Sequence, residues 1–423
     1  MKSRLLILLL LLLAQSSRAT SLSGGIYSNT TWTLSGSPYV MTGNVVVFDG
    51  VNLTIEPGVV ILVDTGVTLE VRGRIMANGT AGQNITFKAN SSSAGLTWWQ
   101  GIVFIGTTSP TGVGSQATFA YCNVSNARTC FNFDIAYHGP YIFKHCGFEY
   151  NYALNNDGGM GRMLFDSCSI KHNRTGFSYF QFGGRISNCI FDDNAYGVNG
   201  SDTLLNCTFI NHSSIAVQPY GYTKGCKISN NNVAVRCLFN SVNNTFINNT
   251  VTDNTEGVDI QSFFNGYINF TGNQICNNTA YNIRLNTTNN CNLSNNCWCG
   301  ADSATIRSKI IDGYVDISKG LVTIGSIGSC ATDIKSEQLQ ADAQVYPNPL
   351  PANAWLHINF NTAIAMDDMQ IVDILGRKHS FEVYRTDNKK CSLKLSEYAP
   401  GIYFVIIPAA DGGERIAKQI RIL

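Results

Sequence analysis

The chain has 423 residues, only 13% of them charged, and a formal net charge of +1. So sparse and balanced a charge excludes a strong electrostatic partner such as nucleic acid or an anionic membrane surface. The length suits two domains, although a solenoid can be long without dividing.

Residues 1–19 read as a secretory signal. Lys2 and Arg4 precede the apolar run Leu5 to Leu13, and Ser17-Arg18-Ala19 offers small residues at the cleavage positions. Thr20 is then the mature start. No later apolar run is long enough to span a bilayer, so no transmembrane segment is expected after signal removal.

From Ser23 to Phe104, alternating Val, Ile and Leu between Gly turns predict strands. Blocks such as Leu53-Thr-Ile-Glu-Pro-Gly-Val59 and Trp98-Trp-Gln-Gly-Ile102 make up this lead-in, which is expected to contain a cap over the first open edge.

A repeat then begins. A small residue, usually Cys, is followed two positions later by Val, Ile, Leu or Phe, and usually by Asn after three more. The anchors are Cys122, Cys146, Cys168, Cys189, Cys207, Cys226, Asn244, Asn273 and Cys291, in steps of 24, 22, 21, 18, 19, 18, 29 and 18 residues. A period near 20 means a solenoid. Its apolar runs have period two and leave no room for helices, so each rung holds two or three short strands.

Rungs stacked about 4.8 Å apart place like on like. The six Cys anchors form an inward thiol ladder. Val124, Phe148, Ile170, Phe191, Phe209, Ile228, Phe246, Ile275 and Leu293 form an apolar ladder, and Phe119, Phe143, Phe165, Ile186 and Leu204 form another. The Asn column is expected at a bend, where Asn tolerates left-handed angles and stacked amides hydrogen-bond along the axis.

Fourteen Cys in an exported chain suggest disulfides. Ladder thiols spaced by the rung rise are, however, too far apart for the about 3.5–4.5 Å between Cβ atoms that a disulfide wants. They are expected to stay buried thiols, whereas Cys130, Cys297, Cys299 and Cys330 are freer to pair.

The stretch from Asn295 to Val322 closes the solenoid, and residues 331–343 lose the repeat and read as a linker. Residues 344–423 hold about seven alternating strands, which predict a small immunoglobulin-like β-sandwich.

The repeat resembles the right-handed parallel β-helix family, of the NosD-type and pectate-lyase-like kind. The expected fold is therefore all-β: a right-handed parallel β-helix with its N-terminal cap over residues 20–330, followed by the sandwich. Further on stand Tyr346-Pro-Asn-Pro349, Asp373-Ile-Leu-Gly-Arg377 and Ala399-Pro-Gly-Ile-Tyr-Phe-Val405. In that order they resemble the type A C-terminal sorting domain of the type IX secretion system of Bacteroidota. The resemblance implies handling by that secretion machinery and a secreted or surface-attached protein. Pro347, Asn348, Pro349, Gly376, Gly401 and Tyr403 are the motif residues carried over.

Register gives the outward columns. Glu149, Lys171 and Asp192 fall in one; Ser178, Asn199, Gln218, Arg236, Asp259 and Arg284 fall in a second. Carboxylates and a base on an outer sheet fit a polysaccharide lyase or glycoside hydrolase. The same stack fits a surface ion-pair ladder. Asp192-Asp193 resembles the paired carboxylates of polygalacturonases, but the accompanying blocks are missing. Tyr220, Tyr222, Phe180, Phe182, Phe263 and Tyr267 suit either sugar stacking or packing. The scattered His residues show no ligand spacing, so neither metal nor cofactor is expected. The leading reading is a secreted β-helix that presents a polar face to glycans, matrix or cells; a structural coat component is a further one.

Overall fold

The computed structural model describes residues 19–91, 98–106, 114–134, 139–156, 163–178, 184–200, 203–238, 245–261, 269–299, 302–325, 343–351, 354–360, 369–373, 377–387, 390–395, 398–407 and 416–423. The signal, most of the linker, Phe180, Phe182, Phe263, Tyr267, Cys330 and Gly376 lie outside them. The chain divides into two units, Met1–Cys330 and Ala331–Leu423.

The first unit is a parallel β-solenoid of about eleven turns. Each full turn contributes a strand to each of three columns. The first column is a sheet of eleven parallel strands, from Thr30–Trp32 to Asn269–Thr271. The second and third are joined near the start by the long strand Tyr39–Val47, which pairs first with Val60–Val63 and then with Thr68–Val71. The lead-in is itself coil: Trp32, Ile55, Ala77 and Phe119 already stack in one column.

That column continues through Phe143, Phe165, Ile186, Leu204, Thr223, Phe246 and Phe270. On the second sheet Val124, Phe148, Ile170, Phe191, Phe209 and Ile228 stack as the sequence predicts. There the expected register fails. Ile228 is followed by Val251 and Ile275, while Phe246 belongs to the first sheet. The anchor of that rung is therefore Asn249, while Asn244 lies outside the described residues, and the last anchor is Asn296, not Cys291.

This correction exposes the central device of the fold. The thiol column Cys122 to Cys226 is buried and free of disulfides. Each thiol donates to the carbonyl two residues back, as Cys189 Sγ does to Ser187 O at 3.1 Å. Stacked on a neighbouring sulfur and cut off from water, Cys146 and Cys168 are held well above the ordinary thiol range. At Cys226 the column changes chemistry. Its N–H donates to Asn249 Oδ1 at 2.8 Å, Asn249 N–H to Asn273 Oδ1 at 2.9 Å, and Asn273 N–H to Asn296 Oδ1 at 3.0 Å. The thiol ladder thus becomes an amide ladder.

A second amide ladder runs along the bend between the second and third sheets. It contains Asn151, Asn173, Asn194, His212, Asn231, Asn254 and Asn278, all buried. These Asn do not themselves take the left-handed conformation, as the sequence suggested. The preceding residue does: Tyr150, His172, Asp193, Asn211, Asn230, Asp253 and Asn277 all have φ between 50 and 61°. Turning the chain one residue earlier aims each Asn inward, where its amide satisfies the backbone of neighbouring rungs.

Among the described residues two buried side-chain polar atoms escape this accounting, Thr223 Oγ1 and His212 Nε2. Thr223 stands between Leu204 and Phe246 in the apolar column. Thr223→Val keeps the shape and removes an unpaired hydroxyl, so a gain of about 1 kcal/mol is expected. An unchanged or lower denaturation midpoint would show that the hydroxyl has a partner in solution.

The coil ends with a short helix, Ser303–Arg307, and the strand Ile310–Ile311 laid on Tyr281–Leu285. Trp298 Nε1 donates to Ile324 O at 3.3 Å. A disulfide joins Cys276 to Cys299 across the last turns. Cys130, by contrast, is a buried free thiol rather than a pairing partner.

The second unit is a sandwich of two four-stranded antiparallel sheets. Leu356, Ile358, Ile371, Leu393, Val405, Ile407 and Ile420 form its core. Tyr403 is buried and its hydroxyl donates to Ala399 O at 3.0 Å, beside Gly401 at the start of strand Gly401–Ile407. Asn348, between Pro347 and Pro349, accepts from Arg421 N–H at 2.9 Å and so ties the entry segment to the last strand.

Candidate functional site

The residues of both expected columns stand in register on consecutive rungs, and one of them, Asp259, is buried. Glu149, Lys171 and Asp192 are register partners on consecutive rungs of the second sheet. All three are half-buried. Among the described residues no ion pair joins them, so the ion-pair ladder is not seen. Asp192 instead accepts from Asn211 Nδ2 at 2.9 Å.

On the third sheet Ser178 pairs with Asn199 and Asn199 with Gln218; Arg236 pairs with Asp259 and Asp259 with Arg284. The charged end of this column is a network. Asp259 is 1% exposed, yet it receives three donors: Arg236 Nε at 3.2 Å, Gln261 Nε2 at 2.9 Å and Asn286 Nδ2 at 2.8 Å. A buried carboxylate so fully paired is held in place. Glu256 takes the Tyr281 hydroxyl at 2.5 Å and Arg284 Nη2 at 3.5 Å, and the Arg284 guanidinium lies 4.1 Å from the Tyr281 ring centre. Burial and the bond to Glu256 push the Tyr281 phenol up, so it stays a donor. Gln261, Asn286, Glu256 and Tyr281 are not legible from the repeat because they lie off the stacked column, on its flanks.

A second group is hidden from the repeat for a similar reason. The bend carrying the amide ladder brings exposed rings to the surface beside Glu149, Lys171 and Asp192. Tyr150 stacks on His172 at 5.0 Å, and His172 Nδ1 lies 3.0 Å from Asp193 Oδ2. Tyr152 meets the edge of Trp98 at 6.1 Å and lies under the Arg174 guanidinium at 4.8 Å. Asp193 is therefore engaged by His172 rather than forming a carboxylate pair with Asp192. The signal is present as Tyr-Asn-Tyr and His-Asn-Arg around the ladder Asn, since neighbours of an inward bend residue point outward.

Tyr222, a stacking candidate by composition, is a half-buried strand residue on the first sheet. Among the described residues no group of three or more His, Cys, Asp or Glu is placed to hold a metal ion. Among them, too, no helix is long and apolar enough to cross a membrane.

Residues 344–422 match the family model of the secretion system C-terminal sorting domain. The chain thus carries a type IX sorting domain and is a secreted or surface-attached protein. Among solved structures it is similar to two mutants of the periplasmic alginate epimerase AlgG. They are 12% and 11% identical, with TM-scores of 0.28 and 0.25, and each match covers 73% of this chain and 82% of that one. It is also similar to the receptor-binding protein of bacteriophage Det7, a podoviral tailspike in a myovirus. That match is 9% identical with a TM-score of 0.20, covering 93% of this chain and 98% of the other. No curated protein matches the chain.

Proposed function

We propose that this exported β-helix presents its polar outer face to extracellular glycans or matrix and binds without turnover. The observation that carries the reading is the third-sheet column Ser178–Asn199–Gln218, continued by the Arg236–Asp259–Arg284 network. Hydrogen-bonding side chains repeat there at the rung spacing, and those of the Arg236–Asp259–Arg284 end are held by bonds of their own. Preorganised donors and acceptors lose little entropy on binding a sugar. The saturated carboxylates Asp259 and Glu256 favour holding over catalysis.

The Glu149–Lys171–Asp192 column supports a second reading, a polysaccharide lyase or glycoside hydrolase, since Lys171 stands between two carboxylates on adjacent rungs. One experiment separates the two. The full chain is offered neutral and acidic polysaccharides, with retention and product release both measured. Retention without products, weakened about tenfold by Gln218→Ala with Arg284→Ala, is the expected result. Products lost in Lys171→Ala would establish the enzyme instead.

A further inference from the structure

We propose that the bend between the second and third sheets is a binding site for a neutral oligosaccharide, with Tyr150 and Tyr152 as stacking platforms. The proposal rests on the glycan-binding reading above and gives it a place and a ligand class.

Three observations carry it. Tyr150 is 55% exposed and Tyr152 43%, and Tyr196, 39% exposed, follows two rungs on. Scattered surface apolar residues need no explanation, but aromatic rings grouped along one bend do. The other bend is an internal comparison: Tyr121 stacks on His145 at 4.8 Å there, with no second ring beside it among the described residues. Stacking along a bend thus explains one tyrosine per rung, not the pair around Asn151.

The platforms are also rigid. Asn151 between them is buried, its N–H donating to Asn173 Oδ1 at 2.9 Å and its Nδ2 to Val124 O at 3.1 Å. The Arg174 guanidinium holds Tyr152 by its ring and its hydroxyl. On the other side Trp98 is anchored by Trp99, which is fully buried and donates from Nε1 to Ser125 O at 2.9 Å. Rings fixed in this way stack on a sugar's apolar face at little entropic cost.

The charges select the ligand class. Glu149, Asp192 and Asp193 stand against Lys171, Arg174 and the exposed Arg128 beside Tyr152 on the preceding rung, a balanced set that offers no net positive field to an anionic chain. Carboxylates and a lysine beside an aromatic platform suit hydroxyls, which donate to the carboxylates and accept from the lysine. The rungs are about 4.8 Å apart, close to the length of one pyranose unit, so a chain lying along the axis meets a polar or aromatic group at each ring.

The test is equilibrium binding of the full chain to neutral oligosaccharides (β-glucan, mannan, xylan) and to acidic ones (polygalacturonate, hyaluronate). The expected result is binding to a neutral member, weakened about tenfold or more by Tyr150→Ala with Tyr152→Ala at unchanged circular dichroism. Neutral binding that survives the double substitution overturns the site. Binding only to acidic members, lost in Gln218→Ala with Arg284→Ala, overturns it too while leaving the broader reading standing. Binding to neither panel ends both.

Discussion

Asn254→Ala is expected to destabilise the solenoid by about 4 kcal/mol, although Asn254 touches no candidate ligand surface. Its Oδ1 accepts both Asn231 N–H and Asn231 Nδ2 at 2.9 Å. Its Nδ2 donates to Ile228 O, Thr252 O and Asn278 Oδ1, each at 3.0 Å. The site is closed to water, so truncation strands Asn231 N–H, at about 1–3 kcal/mol, and takes a partner from Asn231 Nδ2, Ile228 O, Thr252 O and Asn278 Oδ1, at about 0.5–1 kcal/mol each. Asn232→Ala, on the exposed side of the neighbouring rung, is the control and should cost about 0.5 kcal/mol or less. Denaturant midpoints followed by circular dichroism decide it; equal midpoints for the two variants would mean the ladder amides contribute nothing.

His212 should make the fold acid-sensitive, and His212→Asn should remove that sensitivity. The imidazole occupies an amide position. The His212 backbone N–H donates to Asn231 Oδ1 and its Nδ1 lies on the same oxygen, both at 2.9 Å. Its Nε2 has no partner among the described residues. Gly197 makes the room, for a Cβ there would sit 2.6 Å from Nε2. Burial lowers the folded-state pKa from 6.5 to about 4. Between those values the unfolded chain holds more protons, so acid favours unfolding. The stability is complete above about pH 6.5 and falls by about 3 kcal/mol on descending to pH 4. In His212→Asn the ladder gains an amide and this part of the slope disappears, with stability near neutral pH within about 1 kcal/mol of the parent. Parallel stability–pH curves for parent and variant would show that His212 is solvated.

Much of this architecture is legible in the chain. The six Cys set the period, and period two within each rung excludes helices. The ambiguous place is Asn244-Thr-Phe246-Ile-Asn-Asn249, because Asn249-Thr-Val251-Thr-Asp-Asn254 repeats the same pattern five residues later. Either could serve as the rung; only stacking on Cys226 chooses between them. The columns follow from register alone and so can be read from the repeat. The flanking partners of Asp259 and the rings around Asn151 depend on how the chain turns between sheets, which the apolar period does not encode. The sorting-domain motif is carried by local turn and strand residues, several of which, Tyr403 and Asn348 among them, hold the sandwich itself together.

The amide and thiol ladders carry a consequence for how such a molecule changes over generations. Each rung from Cys146 to Asn278 presents the same two inward positions, one Cys or Asn and one Asn or His, to its neighbours in the stack, whatever the length of the segment between rungs. Loss or duplication of a whole turn therefore brings a Cys or Asn back onto an equivalent neighbour, and the chain can lengthen or shorten in unit steps. Fractional insertions are tolerated only where they bulge between anchors, as the uneven spacing of 18 to 24 residues from Cys122 to Cys226 already displays. The reach of the displayed face is thus a heritable quantity, adjustable without redesigning the interior.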